Sequence, residues 1–105
     1  MAKIKQSRRL FKLLENSGCR IENSKKGVKI FQAQTQSAMI NGVLHTRRLA
    51  RVPFYAMHVS DRSGLKPFLD FILNHWDITF VQSMARDLAA LGYPSFCKKV
   101  TKRDR

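Results

Sequence analysis

Histidine is the side chain best matched to proton transfer near neutral pH, because its intrinsic pKa lies close to it. The chain holds three, His45, His58 and His75. In a paired-strand reading His58 falls beside lysines. There the imidazole could take a proton while Lys25 or Lys29 holds the negative charge of a phosphorane-like state. A solvated or hydrogen-bonded histidine is the more ordinary role, so no catalytic residue is expected and His58 stands as the candidate base. His45 falls near a hairpin tip, and His75 beside Trp76 reads as a helix-end residue. Cys19 and Cys97 lack the paired spacing of a zinc site. Asp61, Asp70, Asp77 and Asp87 are scattered as caps or solvated positions would be. Neither a metal nor a cofactor is expected.

The cations point further. The formal net charge is +13 over 105 residues. Residues 1–51 hold twelve Lys or Arg against Glu15 and Glu22, a net of +10. Residues 52–95 hold Arg62, Lys66 and Arg86 against the four aspartates, a net of −1. The last ten residues add five bases and Asp104, a net of +4. Like charges repel, so stability alone does not produce this asymmetry, and a polyanionic partner is implied. The residues expected to meet phosphates are Lys25, Lys26 and Lys29 in the first strands, Arg47, Arg48 and Arg51 on a hairpin, and Lys98 and Lys99 near the C-terminus. Phe54 and Tyr55 could add base stacking, although such aromatics are more often core. No segment joins a basic face to a strong apolar face, and no apolar run reaches membrane-spanning length, so a membrane is not an expected partner. The N-terminal stretch lacks the apolar core of a signal peptide, and a cytoplasmic location is the expectation.

These residues need elements to hold them. Ser7 can cap a helix carrying Leu10, Phe11, Leu13 and Leu14, with Gly18 as its stop. Cys19 to Glu22 suit a strand, and Lys25-Lys26-Gly27 a turn into the next. Asn41-Gly42 between two apolar runs is a strong hairpin signal. A two-residue turn there sets a register in which Ile40 faces Val43, Phe31 faces Val52, Lys29 faces Phe54, Val28 faces Tyr55 and Lys25 faces His58. Residues 28–40 and 43–59 then form one long hairpin, with a bulge or edge position at Pro53, which has no N–H to donate. Ser63 can cap a helix with Pro67 in its first turn and an apolar stripe from Leu65 to Trp76. Thr79 can cap another, ended by Gly92 and Pro94. Residues 98–105 read as a basic, mobile tail behind a single domain of residues 1–97. The expectation is a small α+β domain of order αβββα, with a long β-hairpin, one extra C-terminal helix and the tail.

This order on a basic chain resembles the double-stranded-RNA-binding-like fold. More narrowly, "SRRLFKLLENSGCRI" and "HVSDRSGLKPFLDFIL" resemble the HicA-type mRNA interferase family, the toxins of toxin–antitoxin systems. The former stretch is similar to that family's opening helix and strand. The latter is similar to its closing histidine, its Leu-Lys-Pro helix start and its last helix. Together they cover about a third of the chain. The resemblance implies an RNA-directed surface. The family carries a Gly-Ser-His-His-like run on its second strand, and here the aligned run is "KGVKIF", with Val28 and Lys29 where histidines would stand. Lysine is a poor general base near neutral pH unless strongly perturbed. The departure therefore implies binding without the family's nuclease chemistry.

The resulting expectation is a small nucleic-acid-binding protein that prefers RNA, within a ribonucleoprotein complex or with a protein partner. Three alternatives differ in class. One is a ribonuclease that uses His58 without a metal. Another is a DNA-binding regulator that reads with residues 79–92. The third is a phage or plasmid protein whose basic surface blocks a host nucleoprotein machine.

Overall fold

The computed structural model describes residues 2–58 and 65–104. Helix α1 runs Ala2–Asn16 and buries Leu10 and Leu14 on its inner face. It begins upstream of Ser7, so Ser7 lies within the helix and is not its cap. Gly18, at φ +95°, reverses the chain, and the Cys19 N–H reaches back to the Leu14 carbonyl at 2.9 Å. This is the glycine stop expected at that position.

The strands are β1 (Arg20–Ser24), β2 (Gly27–Phe31), β3 (Thr35–Ile40), β4 (Val43–Arg48) and β5 (Tyr55–His58). They make two antiparallel sheets, one ordered β1-β2-β5 and the other a two-stranded ribbon of β3 and β4. Asn41 (φ 52°) and Gly42 (φ 79°) both take positive φ at the ribbon's turn, as a two-residue hairpin loop requires. Ile40 faces Val43 and Thr35 faces Arg48, the expected register.

The long hairpin does not continue unbroken into β2 and β5. Four residues separate Ile30 from Thr35, whereas six separate Arg48 from Tyr55 on the opposite arm. The return arm therefore carries two extra residues, and Pro53 lies among the six. The expected pairings below this point are corrected by that insertion. His58 faces Gly27 and not Lys25, Lys29 faces Ala56 and not Phe54, and Val28 faces Met57 and not Tyr55. A slip of one residue would have turned every side chain to the other face. A slip of two keeps each on its expected side, so Lys29 and Phe54 still share a face.

Helices follow at α2 (Leu65–His75), α3 (Ile78–Ala90) and α4 (Phe96–Asp104). Pro67 sits in the first turn of α2, while the expected cap Ser63 lies outside the described residues. Asp77, not Thr79, caps α3: its carboxylate accepts from the Phe80 N–H at 2.8 Å. The expected tail is also corrected, because residues 96–104 form a helix that buries Phe96 and Val100. Burying such a side chain contributes about 1.5–3 kcal/mol. That contribution holds a helix of 9 residues, too short to persist alone.

The fold is α+β. One core joins Leu14, Ile30, Leu69, Ile72, Trp76, Phe80, Leu88 and Phe96. Helices α1 and α2 pack on the β1-β2-β5 sheet, and α4 packs on α3 and α2. The ribbon projects from this body, and every residue of β4 is exposed. The molecule measures 44 × 28 × 22 Å.

The β2–β5 pairing rests on a close approach. A Cβ on Gly27, at φ +153°, would meet the Met57 carbonyl oxygen at 2.0 Å, whereas one on Gly42 would meet nothing within 4 Å. Gly27→Ala is expected to lose about 1–3 kcal/mol of stability through strain and displaced pairing. Gly42→Ala should lose about 1 kcal/mol through φ alone. Urea denaturation of the two variants checks this, and equal midpoints would contradict the register.

Candidate nucleic-acid interface

Alternation along β1, β2 and β5 divides their sheet into two unlike faces. Ile21, Val28, Ile30, Tyr55 and Met57 point inward by register, and Ile30 is fully buried. Tyr55 packs against Phe68 and Phe71, each with ring centres 5.2 Å away, so it is not a stacking platform for bases. The opposite face is open among the described residues. Arg20, Glu22, Lys29, Phe54, Ala56 and His58 are all exposed there.

Two aromatic rings flanked by cations lie across that open face. The Arg20 guanidinium lies 4.3 Å from the centre of the Phe31 ring. Phe31 and Phe54 are 4.8 Å apart, tilted by 37°. The Lys29 ammonium lies 5.4 Å from the centre of Phe54. Lys29 is thus the expected cation placed against these rings. Sequence reasoning does not single out Arg20 or Phe31. The cue is present in the strand alternation, which puts Arg20, Lys29 and Phe31 on the side opposite Ile21 and Ile30.

At the head of this sheet, where β2 leaves and β5 arrives, there is a cleft of about 640 Å³. Arg20, Phe31, Phe54, Arg51 and Gln34 line it. Two polar ties hold its walls. The Trp76 indole N–H donates to the Pro53 carbonyl at 2.9 Å, which fixes the inserted segment. The Gln32 side chain accepts from the Asp77 N–H at 2.7 Å and donates to the Ala50 carbonyl at 3.3 Å.

Arg47 and Arg48 lie at the ribbon's base and not near its tip. Arg47 is occupied: it donates to Asp77 Oδ1 at 2.8 Å and to Gln36 Oε1 at 2.7 Å. Its role is to clamp the ribbon to the start of α3. Arg48 is exposed and unpaired among the described residues. The tip is apolar on both faces, with Met39 68% and Leu44 63% exposed beside Ile40 and Val43.

The remaining expected residues divide in the same way. Lys25 and Lys26 occupy the β1–β2 turn, exposed and without ion pairs among the described residues. Lys98 is exposed on α4, but Lys99 donates to the Tyr93 hydroxyl and lies 4.9 Å from that ring's centre. The Tyr93 contact pushes the Lys99 pKa up. Both belong to the helical layer, apart from the sheet cations. The histidines lie on three separate elements: His45 opposite Ala38 on the ribbon, His58 opposite Gly27, and His75 at the end of α2, 4.6 Å from Phe71. Val28, where the resemblance puts a histidine, faces the core. Cys19 is buried, and burial pushes its thiol up to about 12, which leaves no thiolate near neutral pH.

No family model, curated protein or solved structure matches this chain.

The Arg47 contact holds the Asp77 carboxyl below its usual value of 3.8, against the opposing effect of burial. A group with a lowered folded pKa stabilises the fold above its unfolded value. That stabilisation is lost as pH falls through the folded value. The wild type should therefore lose more stability than Arg47→Gln as pH drops from about 5 to about 2. Parallel denaturation curves at each pH check this, and identical pH profiles would contradict the clamp.

Proposed function

We propose that this chain is an RNA-binding protein whose contact surface is the open face of the β1-β2-β5 sheet and the adjoining base of the ribbon. The observation that carries this reading is the gathering of unpaired cations around the Phe31–Phe54 ring pair on this surface. Among the described residues, Arg20 pairs with Glu22 and Arg47 with Asp77, while Lys25, Lys26, Lys29, Arg48 and Arg51 have no carboxylate partner. Exposed pairs such as Arg20–Glu22 are weak and yield readily to a phosphate. Such a surface destabilises the compact fold through self-repulsion. Arg20 faces Phe31, so from Lys26 to the Arg20–Phe31 pair the cations span about 16 Å, a strip along which a phosphodiester backbone can run.

A nucleic acid with unpaired bases is favoured over duplex DNA because rings stand between the cations. Phosphate contacts position a nucleic acid, while aromatic faces engage unpaired bases. The DNA-regulator alternative has less support. On α3 the exposed residues are Thr79, Gln82, Ser83, Arg86, Asp87 and Ala90, so a single cation sits beside an acid. Action within a ribonucleoprotein assembly, in the cytoplasm, belongs to this proposal, as does kinship to the HicA-type proteins as a binder.

One observation supports the ribonuclease alternative. His58 and Lys29 share the open face as diagonal neighbours. Metal-independent cleavage also needs a group to protonate the leaving oxygen, and no second histidine lies on that face among the described residues. We therefore expect binding without cleavage.

The affinity for RNA should fall steeply with salt, with a log–log slope of magnitude about 3 to 6 for four to six neutralised phosphates. Lys29→Ala should weaken binding and lower the slope by about 1. A slope near zero would contradict the proposal. Labelled RNA incubated with the protein should stay intact with and without chelator. Cleavage that survives chelator and disappears in His58→Ala would establish the nuclease instead.

A further inference from the structure

The cleft at the head of the sheet has features that general phosphate binding does not require. A surface built only for phosphates needs cations. This one sets two phenylalanines side by side with cations at both ends, in the order Arg20, Phe31, Phe54, Lys29. Phe54 is left 41% exposed at the cleft. Such an aromatic is normally drawn into the core, as its neighbour Tyr55 is. Its outward position follows from strand alternation, which puts it on the side of Ala56 and Lys29, and the adjacent Pro53 carbonyl is held by Trp76. The platform is thus fixed before any ligand arrives, which lowers the ordering cost of binding.

We propose that this cleft receives one unpaired nucleobase of a single-stranded RNA. The inference rests on the RNA-binding reading and names the form of RNA bound. The base stacks on Phe54, since every base offers a π-face to an aromatic ring. Gln34 lines the cleft, and its side-chain amide has no hydrogen bond among the described residues. It supplies a donor and an acceptor for a base edge. Arg51, also in the wall, takes the flanking phosphate. The volume of about 640 Å³ lies within the usual range of small-ligand sites. A strand is the occupant, and not a free nucleotide, because the cations continue from the cleft through Lys29 to Lys26 and Lys25. A duplex is excluded from the cleft, since its bases are stacked on one another and cannot reach Phe54 without being splayed out.

The test is fluorescence anisotropy with a labelled single-stranded RNA of roughly ten nucleotides and a blunt duplex of the same sequence. Phe54→Ala should raise the single-strand Kd by roughly tenfold and the duplex Kd by less than about twofold. The single-strand salt slope should not change, because no charge is removed. Phe54→Trp should retain wild-type affinity, which separates stacking from a folding defect. Arg51→Gln should weaken both ligands and lower the slope. Equal losses on strand and duplex in Phe54→Ala, or no loss on the strand, would overturn the base site while leaving RNA binding in place. A wild type that binds neither RNA would overturn both readings.

Discussion

Asp77 joins the three parts of this protein. Its carboxylate caps α3 at the Phe80 N–H and also draws in Arg47 from the ribbon, while its own N–H donates to Gln32 at the exit of β2. Helical layer, sheet and ribbon meet at this one residue. Buried backbone donors at a helix start need a partner, and here that partner also sets the direction of the ribbon. The neighbouring Trp76 adds the tie to Pro53. Together the two residues decide where the inserted segment lies, and hence where Phe54 and Arg51 stand.

The division of labour between the two faces of the β1-β2-β5 sheet follows from this anchoring. The inner face is closed by α1 and α2 around Ile30, Leu14 and Phe68, and supplies stability through buried apolar area. Among the described residues no element covers the outer face, and its cations repel one another. Such a surface is tolerable only because stability is secured elsewhere. The same reasoning explains α4. Its lysines do not extend the sheet's basic strip; the helix is retained by Phe96 and Val100 on its buried side.

Local chemistry makes much of this readable from the sequence. Asn41-Gly42 supplies the positive φ of a two-residue turn, and the spacing of Leu65, Phe68, Leu69 and Ile72 marks a helix. Strand alternation also separates Ile30 from Lys29. What is not readable depends on contacts between distant parts of the chain. Thr79 and Asp77 are both competent caps, and Asp77 wins because Arg47 and Gln32 approach it from the ribbon and the sheet. Arg47 looks like any surface arginine until its partners, far away in sequence, are known. Pro53 signals a bulge, but the two-residue insertion is decided by Trp76 and by Leu49 turning into the core. Residues 98–105 have a tail's composition because Val100, which joins Phe96 in the core, is their single apolar residue among five bases. The spacing of four between Phe96 and Val100 is one helical turn, and it is the signal that marks the helix. Phe31 has the pattern of an ordinary paired strand residue, and its stacking against Arg20 emerges only with the β1–β2 register.

On this account nucleic acid lies on the open sheet face and not on the helices. Amide nitrogen–proton correlation spectra of the protein, titrated with a short single-stranded RNA at low salt, address this residue by residue. The shifted amides should cluster in residues 20–31 and 48–58, while those of α3 around Arg86 stay in place. Shifts centred on α3, or none anywhere on the sheet, would contradict the claim.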